Sequence, residues 1–588
     1  MIESMISVLR FSVRNLLCSL AILFLVSGCG VLCLASESSD SKTSDDTGAV
    51  EGYETYVQYA DHLRRLAESS PCVRLESLAK TSKKPDAKSV FLVTVGHPDA
   101  KQADKNRAVL VLGSVEPNRP LGSELCVRMI ENFLKTAKGK KEGGPILSKT
   151  TFYFIPRPAP DAYEAFFQKP YRERTANLRP VDDDHDGHTD EDGPDDLNGD
   201  GWITVMRVED PAGEYIPHPK DPRVMIRANA CNGQRGRYLL FQEGIDNDHD
   251  GQFNEDPQGG VAFNRNFPFD YDYFGRGAGP HQVSEPETRA VADFAFDHPN
   301  IAAVFSFSAD DNLMHPWQPD SRRENDRIKT RILANDASYL RSLVARYPKI
   351  LDQKDASKNV PASSVEQGSF APWAYFHFGR PSFSTRGWWI PGLEQEPKLF
   401  DQCTGDQFLA IRWFKEQKID GFVPWTKVDH PDFPGRTVEV GGFKPFLQTT
   451  PPAKELKRLA QIHGQFLTEL ANSFARLKVA SVKTEPLDGG LYRVTAMISN
   501  EGALPTELSM GGLSRQTYPV QVELLAPKDA KFIKGSRRTK IGRLGPMGGH
   551  AEVTWLLRIP PSGKDQKDTP PKFQVRAWSP SVGKAGSK

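Results

Sequence analysis

A short run of apolar residues at 108–113 constrains this chain more than any other feature of its sequence. Such a run is typical of a strand that is buried on both faces of a sheet. Similar runs at 301–307 and 381–385 alternate with stretches at 123–134 and 454–477, where apolar residues recur at helical spacing. This alternation predicts an α/β fold, with a mixed, mostly parallel sheet of about eight strands and helices on both of its faces.

The pattern of the sequence changes after residue 477. Apolar and polar residues then alternate, for example at 491–498 and 520–525, and glycine, proline and asparagine separate these runs. Such alternation is typical of short antiparallel strands, so the sequence predicts an all-β sandwich at 478–588. A chain of 588 residues is too long for one hydrophobic core, which agrees with a separate α/β domain at 51–477.

The charges of the chain balance, since 75 Lys and Arg residues stand against 75 Asp and Glu residues. A formal charge of zero gives no indication of a nucleic-acid partner. The cysteines beyond the N-terminal segment are far apart and include no Cys-x-x-Cys pair, which excludes a cysteine-rich zinc ribbon. One disulfide and buried free thiols both remain open. These cysteines are Cys72, Cys126, Cys231 and Cys403.

The N-terminal segment carries a targeting signal. Two arginines precede an apolar run at 16–26 that is too short to span a bilayer comfortably, which predicts a signal peptide or lipoprotein signal within residues 1–35. The run ends in Val-Ser-Gly-Cys, which resembles a bacterial lipobox with Cys29 as the lipidated residue. Simple cleavage near Ala35 and an uncleaved anchor are the alternatives. A Ser-, Asp- and Thr-rich stretch at 36–50 predicts a flexible tether, so we expect an exported protein, secreted or bound to the cell envelope.

Two strings of the α/β domain resemble a known family. The segment 261–268 contains Asn264, Arg265 and a further Asn, and Ser-Glu-Pro-Glu-Thr-Arg follows it at 284–289. This is similar to the carboxypeptidase A-like zinc metallopeptidases, in which the Asn and the Arg hold the terminal carboxylate of the substrate. A guanidinium fork suits a carboxylate geometrically. The resemblance covers about 51–477 and implies that Asn264 and Arg265 bind substrate.

The same resemblance implies a zinc site, but the residues at its positions differ from those of the family. The register places Glu116, Arg119 and Phe307 at the three zinc-ligand positions, with Ser306 in place of Phe307 if the register slips by one. Arg386 falls at the position of the Glu that acts as general base. A guanidinium has no lone pair to offer a metal and cannot accept a proton at neutral pH. We therefore expect that zinc, the family cofactor, is lost, that no catalytic residue is intact, and that Arg119 pairs with Glu116 in the metal's space.

Two acidic inserts, at 180–204 and 244–258, contain repeats of Asp-x-Asp/Asn-x-Asp-Gly. Oxygen ligands at positions 1, 3 and 5 before a glycine are typical of calcium loops, and a solvated acidic loop is the alternative interpretation. Such inserts also occur in an exported bacterial subgroup of the family, which this chain resembles. His185 and His249 are expected as spacers within the loops. The candidate calcium ligands are Asp182, Asp184, Asp186, Asp190, Asp196, Asn198, Asp200, Asp246, Asp248, Asp250 and Asn254.

Three functions are consistent with these patterns. The first is a non-catalytic surface protein whose basic pocket holds the carboxylate of a peptide or another anion. The pocket would be lined by Asn264, Arg265, Arg386 and Arg119. The second is an active metallocarboxypeptidase with a rebuilt metal site. Its ligands would be Glu116 with donors such as Asp310, Asp311 or His315. The third is a calcium-stabilised structural or adhesive surface protein. The sequence gives no indication of the oligomeric state.

Overall fold

A computed structural model describes residues 51–140, 143–182, 187–254, 256–257, 259–351, 360–391, 402–559 and 571–587. The predicted signal and tether lie outside these residues, as do His185 and the calcium candidates Asp184 and Asp186. Within the described ranges, no helix combines the length and the apolar character needed to cross a membrane.

The strands follow one another through the α/β region and the C-terminal region. In chain order they are β1 (Val73–Lys80), β2 (Ser89–Val95), β3 (Arg107–Ser114), β4 (Thr150–Ile155), β5 (Val205–Glu209), β6 (Tyr215–His218), β7 (Asp221–Arg227), β8 (Tyr238–Gln242), β9 (Ile301–Phe307), β10 (Ser382–Thr385), β11 (Phe422–Val428), β12 (Val438–Phe443), β13 (Leu477–Leu487), β14 (Leu491–Asn500), β15 (Gln521–Leu525), β16 (Lys531–Lys534), β17 (Arg538–Lys540), β18 (Gly549–Arg558), β19 (Gln574–Ser579) and β20 (Gly583–Gly586).

The α-helices lie mostly between the strands of the α/β region. In chain order they are α1 (Tyr56–Ser69), α2 (Ala100–Ala103), α3 (Leu121–Ala137), α4 (Gly144–Leu147), α5 (Pro160–Tyr163), α6 (Pro286–Asp297), α7 (Ala334–Val344), α8 (Tyr347–Ile350), α9 (Phe370–Phe376), α10 (Gln402–Gln417), α11 (Ala453–Ser473) and α12 (Ser509–Ser514).

The central sheet has the strand order β1-β2-β4-β3-β9-β10. Strands β3, β4, β9 and β10 run parallel, whereas β2 pairs antiparallel with both β1 and β4. The mixed sheet and the apolar run that forms β3 are confirmed. The sheet contains six strands in the described residues, rather than about eight, because the segment between β4 and β9 forms separate structure.

Side chains of β3 alternate between two cores. Val109 and Val111 pack with helices α1, α3 and α11 on one face of the sheet, and Leu110 and Leu112 pack with α6 and much of α9 on the other. Both faces are therefore covered by helices, as expected for an α/β domain. The last helix of this layer, α11, ends at Ser473 instead of 477, because Phe474 has extended backbone angles and Leu477 already pairs with Asn500 in β13 and β14.

The remaining sheets are antiparallel. One, with the order β11-β12-β5-β8-β6-β7, joins strands from two distant parts of the chain. The sheets β13-β14-β18-β16 and β17-β15-β19-β20 enclose one shared core that includes Trp555 and Val522, which gives the C-terminal region its two-layered all-β structure.

The three parallel strands β3, β9 and β10 end at one edge of the central sheet. Glu116 follows β3 by two residues, Ser308 directly follows β9, and Arg386 directly follows β10. Crevices at the carboxyl ends of parallel strands are where ligands bind in α/β sheets. The residues that the sequence places in the site therefore meet at this edge.

Candidate functional site

The carboxylate of Glu116 is held by hydrogen bonds. It accepts from Asn264 Nδ2 at 2.6 Å, from Ser308 Oγ at 2.7 Å and from the Ala309 backbone N–H at 3.2 Å. Asn264 is fixed in turn, because its Oδ1 accepts from the backbone N–H of Phe370 at 2.9 Å. Burial raises the pKa of Glu116, although the nearby charge of Arg119 and the bonds from Ser308 and Ala309 act in the opposite direction.

Arg119 lies in a turn, in which its backbone N–H donates to the carbonyl of Glu116 at 2.9 Å. Its guanidinium is not among the groups bonded to the Glu116 carboxylate in the described residues. The direct Glu116–Arg119 ion pair expected from the sequence is therefore not formed. Arg119 acts on the carboxylate from farther away, as its effect on the pKa of Glu116 indicates.

Phe307 lies buried at the end of β9. Its ring meets those of Phe305 and His463 edge-on, with 5.1 Å between ring centres in both cases. Helix α3 passes so close that a Cβ on Gly122 would lie 2.6 Å from the Cβ of Phe307, so this position requires glycine. Ser306, the alternative at this position, is also fully buried, and its hydroxyl has no hydrogen-bond partner in the described residues.

Arg386 belongs to a cluster with two buried aspartates. Its backbone N–H donates to Asp311 Oδ2 at 3.2 Å, while its Nη2 donates to the carbonyl of Ala362 at 2.5 Å. Asp310 accepts from Trp317 Nε1 at 3.4 Å through one oxygen, and its other oxygen has no partner within the described ranges. Burial raises the pKa of Asp310 to about 7, and the negative charge of Glu116 acts in the same direction. His315, by contrast, is bonded to the carbonyl of Pro361 at 2.8 Å.

Arg265 lines a cavity of about 320 Å³ whose wall is rich in arginine. Arg172, Arg174 and Arg276 contribute to the same wall, whereas Arg119 and Arg386 lie outside it. Burial lowers the pKa of Arg172, and it lowers the pKa of Arg174 to about 10. An enclosed group of guanidiniums favours an anionic ligand.

Three of these arginines are already engaged, since Arg276 donates from its Nη2 to the carbonyl of Asn254 at 3.3 Å. The Nη2 of Arg265 lies 3.3 Å from Asp272 Oδ2, and its Nε lies 3.8 Å from Glu366 Oε2. Arg174 donates to the backbone carbonyls of Ala176 at 2.8 Å and Asn177 at 2.7 Å. A ligand carboxylate at Arg265 would therefore share the guanidinium with Asp272. The contribution of Arg172, Arg174 and Arg276 was missed at the level of sequence, since they belong to no recurring spacing.

A family model described as "Zinc carboxypeptidase" matches residues 59–200 and 223–388, together just over half of the chain. The chain belongs to the zinc carboxypeptidase family. A second model, described as a domain of unknown function (DUF8731), matches residues 476–587, which form the C-terminal β region. No curated protein matches this zinc carboxypeptidase-family chain.

Several solved structures are similar to this family member. The carboxypeptidase A of Helicoverpa armigera is 12% identical with a TM-score of 0.38, over 71% of this chain and 73% of that one. Bovine thrombin-activatable fibrinolysis inhibitor, solved with tick carboxypeptidase inhibitor, is 13% identical with a TM-score of 0.36, over 71% of this chain and 96% of that one. A putative carboxypeptidase A from Shewanella denitrificans OS-217 is 12% identical with a TM-score of 0.30, over 56% of this chain and 60% of that one.

The residues that the sequence resemblance places at the family's zinc positions do not fit zinc. A catalytic zinc needs three lone-pair donors and an open position for water. Here a carboxylate already bonded to Asn264 and Ser308, an arginine and a buried phenyl ring occupy those positions. No group of three His, Cys, Asp or Glu side chains with converging ligand atoms includes Glu116 in the described residues.

The acidic inserts fold into loops that share one hydrogen-bond pattern. In each loop the glycine N–H donates to the first aspartate: Gly187 to Asp182 at 3.1 Å, Gly201 to Asp196 at 2.7 Å, and Gly251 to Asp246 at 2.9 Å. The aspartates at position 5, Asp200 and Asp250, also donate their N–H groups to the first aspartate, at 3.1 Å in both loops. The repeated spacing therefore produces the same local structure more than once.

Two groups of side chains that share Asp246 of the second insert could hold a cation. Asp246, Asp248 and Asp250 form one group, and Asp246, His249 and Asp432 form the other, with all ligand atoms of each group within 4.8 Å of one another. Asp432 was missed because it lies far along the chain. His249 belongs to a group instead of serving only as a spacer.

Hydrogen bonds connect the first insert to the second insert and to the residues that follow it, and three further calcium candidates, Asp190, Asn198 and Asn254, form hydrogen bonds in this region. Asp192 of the first insert accepts from the N–H of Asn254 at 2.6 Å, and Asp190 accepts from the N–H of Gly259 at 2.7 Å. In the Asp196 loop, Asn198 accepts from the N–H of Asp200 at 2.9 Å. The inserts thus lie side by side, and several of their carboxylates bond to backbone groups.

Proposed function

We propose that this zinc carboxypeptidase-family protein binds the C-termini of peptides, or other anions, without cleaving them. The observation that carries the proposal is the set of groups at the carboxyl ends of β3, β9 and β10. Glu116 is bonded to protein donors, Phe307 is buried among rings, and Arg386 bonds to Ala362. None of these arrangements supplies a metal-bound water or a base.

The peptidase reaction of the family needs an acceptor for the proton of the attacking water. An arginine at that position stays protonated at neutral pH. The nearby carboxylates Asp310 and Asp311 are buried, and Asp311 is occupied by the N–H groups of Met314 and Arg386. This placement supports the loss of hydrolysis.

Binding is supported by what remains of the site. By the sequence resemblance, Asn264 and Arg265 correspond to the residues that hold the substrate carboxylate in the family. Arg265 opens onto the arginine-rich cavity, where burial lowers the pKa of both Arg172 and Arg174. A carboxylate placed there would relieve the repulsion between neighbouring cations, in addition to accepting hydrogen bonds.

Calorimetry with the purified chain tests this function. Short peptides with a free C-terminus are expected to bind, and the same peptides as C-terminal amides are expected to bind at least tenfold more weakly, which corresponds to about 1.4 kcal/mol. Arg265→Ala should remove the difference. Arg289→Ala, at an exposed arginine paired with Asp293, is the matched control and should leave it unchanged. Equal binding of peptide and amide, or no binding of either, would contradict the proposal.

A metallocarboxypeptidase with a rebuilt site is the second candidate. It is favoured by one oxygen of Asp310, which is buried without a partner in the described residues near the charge of Glu116. Elemental analysis decides between the two candidates. Stoichiometric zinc after dialysis, together with chelator-sensitive release of C-terminal amino acids, would replace the first candidate with the second.

We further propose that the acidic inserts bind calcium and that the N-terminal segment exports the protein, with lipidation at Cys29 or simple cleavage as the two routes. The convergence of Asp246, Asp248 and Asp250 supports a cation there. A calcium-stabilised structural or adhesive role remains the third candidate. It would be favoured if substitutions at Arg265 left every cellular phenotype intact while calcium removal unfolded the inserts.

A further inference from the structure

A groove of about 1270 Å³ lies where the α/β region meets the C-terminal β region. One side is formed by residues at the beginnings of the parallel strands β3, β4 and β9, such as Arg107, Lys149 and Asn300. The other side is formed by β19 and β20. This is the edge of the central sheet opposite to Glu116 and Arg386, so the groove is separate from the site described above. Ligand sites occur preferentially at such domain interfaces.

Cations dominate the lining of this interdomain groove. It contains six basic residues and two acidic residues, Asp104 and Asp297, although the charges of the whole chain sum to zero. The six basic residues are Lys105, Arg107, Lys149, Arg476, Arg576 and Lys584. The excess of positive charge is therefore local.

Part of this positive charge is not neutralised by the protein. Arg576 pairs with Glu523, and Arg476 lies 3.7 Å from Glu501. The exposed lysines Lys105, Lys149 and Lys584 form no ion pair within the described ranges. These lysines lie on both sides of the groove, and within the described residues no carboxylate forms an ion pair with their ammonium groups. Such an arrangement favours a ligand that carries more than one negative charge.

The side of the groove formed by the β region also presents an aromatic ring. Trp578 lies directly opposite Lys584 in the register of β19 and β20, on the face turned away from the core residue Ala577. The guanidinium of Arg576 lies 5.4 Å from the centre of the Trp578 ring, and Arg576 is itself held by Glu523. The indole is partly exposed and is held in place beside a lysine.

We propose that the interdomain groove binds an acidic oligosaccharide, whose sugar rings carry carboxylate or sulfate groups. The groove is larger than the about 300–1,000 Å³ of typical small-molecule pockets, so it suits an extended ligand. Spaced lysines match anionic groups that recur along a sugar chain. The apolar CH face of a sugar ring can pack on the indole of Trp578, while Asp297 can accept hydrogen bonds from hydroxyl groups.

Two other extended anions fit the groove less well. A nucleic acid carries a charge on every nucleotide and binds through many phosphate contacts, which the two carboxylates of the groove and the neutral chain oppose. An acidic peptide would bind most readily by adding a strand to the sheet edge at β20. That strand spans four residues and carries Lys584, and short edges with lysine oppose strand addition.

Calorimetry on the full chain tests the ligand class directly. The probes are a hexasaccharide of uronic acids, a sulfated hexasaccharide, a neutral hexasaccharide of equal length, an acidic peptide and a single-stranded oligonucleotide. At least one of the acidic sugars is expected to bind, more weakly at high salt, while the neutral sugar does not. The uronic and sulfated probes distinguish the two sources of charge. If neither acidic sugar binds better than the neutral sugar, or if the peptide or the oligonucleotide binds as tightly, the proposal is overturned.

Variants locate the binding in the groove. Lys105→Ala, Lys149→Ala and Lys584→Ala should each weaken binding about two- to fivefold, as expected for exposed charge pairs, and together at least tenfold. Lys101→Ala and Lys540→Ala remove exposed lysines near the groove that do not line it, and should leave the affinity unchanged. Equal affinities for the groove variants and these controls would overturn the assignment. Thermal melting confirms that all variants fold.

Discussion

Arg157 is a buried cation on which the packing of helix α3 depends. It is 1% exposed, and its guanidinium lies between the rings of Tyr59 and Tyr163, 4.1 and 4.0 Å from their centres. Its Nη2 donates to the backbone carbonyl of Glu54 at 2.7 Å and to Glu124 Oε1 at 3.2 Å. Burial raises the pKa of Glu124, while the charge of Arg157 lowers it. The two charges therefore depend on each other.

The substitution Arg157→Met should destabilise the fold by about 3 kcal/mol. Removing one partner of a buried ion pair costs about 3–5 kcal/mol, because the other charge stays buried. The lower end applies here, since Glu124 keeps Arg128 at 2.8 Å and the N–H of Glu54 at 3.1 Å. Adding Glu124→Gln removes the stranded charge, so the double variant should regain at least about 1 kcal/mol.

Urea unfolding at pH 7 measures these changes, and hydrogen exchange of the α3 amides reports the loss locally. Arg128→Met is the matched control, because Arg128 is 27% exposed and a partly solvated pair contributes at most about 1 kcal/mol. The reasoning is refuted if Arg157→Met costs less than about 1 kcal/mol, or if the double variant is less stable than Arg157→Met alone.

Three further predictions concern pH, calcium and close packing. His62 bonds to Glu131 at 3.2 Å and to Glu54 at 2.8 Å, and these bonds raise its pKa to about 9. The stabilisation from His62 should therefore be full below about pH 6.5 and be lost as the pH rises through about 9. In urea titrations, His62→Gln should reduce the change of stability with pH over this window, and an unchanged pH dependence would contradict the prediction. Calcium at 100 times its Kd should stabilise the fold by about 2.7 kcal/mol in thermal melts, and the double variant Asp246→Asn with Asp248→Asn should abolish this shift. The control Asp529→Asn, at an exposed aspartate outside both inserts, should retain it. A shift that survives in the double variant argues against the site. Gly122→Ala should lower the free energy of unfolding by about 1–3 kcal/mol, because the added Cβ would lie 2.6 Å from the Cβ of Phe307. Gly464→Ala, where the nearest atom would lie 3.7 Å from the added Cβ, should be neutral or stabilising in urea unfolding. Equal effects of the two substitutions would show that α3 can move away from β9.

Local patterns in the sequence predict much of the central sheet. The boundaries of β9 match the run at 301–307 residue for residue, because a strand that is buried on both faces consists almost entirely of apolar residues, and only Ser306 interrupts them in β9. The loops at Asp196 and Asp246 are also predictable from the local sequence. Their spacing alone places each aspartate beside the backbone N–H groups that it accepts from.

Pairings between distant segments could not be predicted in this way. The second sheet joins β5 to β12, whose partners Met206 and Val440 are far apart in the chain. Asp432 approaches Asp246 through a contact of the same kind, and it follows no spacing that points to a cation. The arginine-rich cavity likewise gathers Arg172 and Arg265 from separate loops. Such contacts depend on the tertiary fold, which no window of a single sequence contains.

Several residues in the segments that resemble the zinc carboxypeptidase site are required by the backbone itself. Asn264 accepts the N–H of Phe370, and Gly368 has a φ of +73° where a Cβ would lie 2.1 Å from the carbonyl oxygen of Arg265. Gly122 allows helix α3 to approach β9. These contacts involve backbone groups, the Asn264 amide and the Cβ of Phe307, and none of them requires a bound metal. A match to the family therefore establishes the fold, whereas the chemistry has to be argued from the side chains of Glu116, Arg119, Phe307 and Arg386.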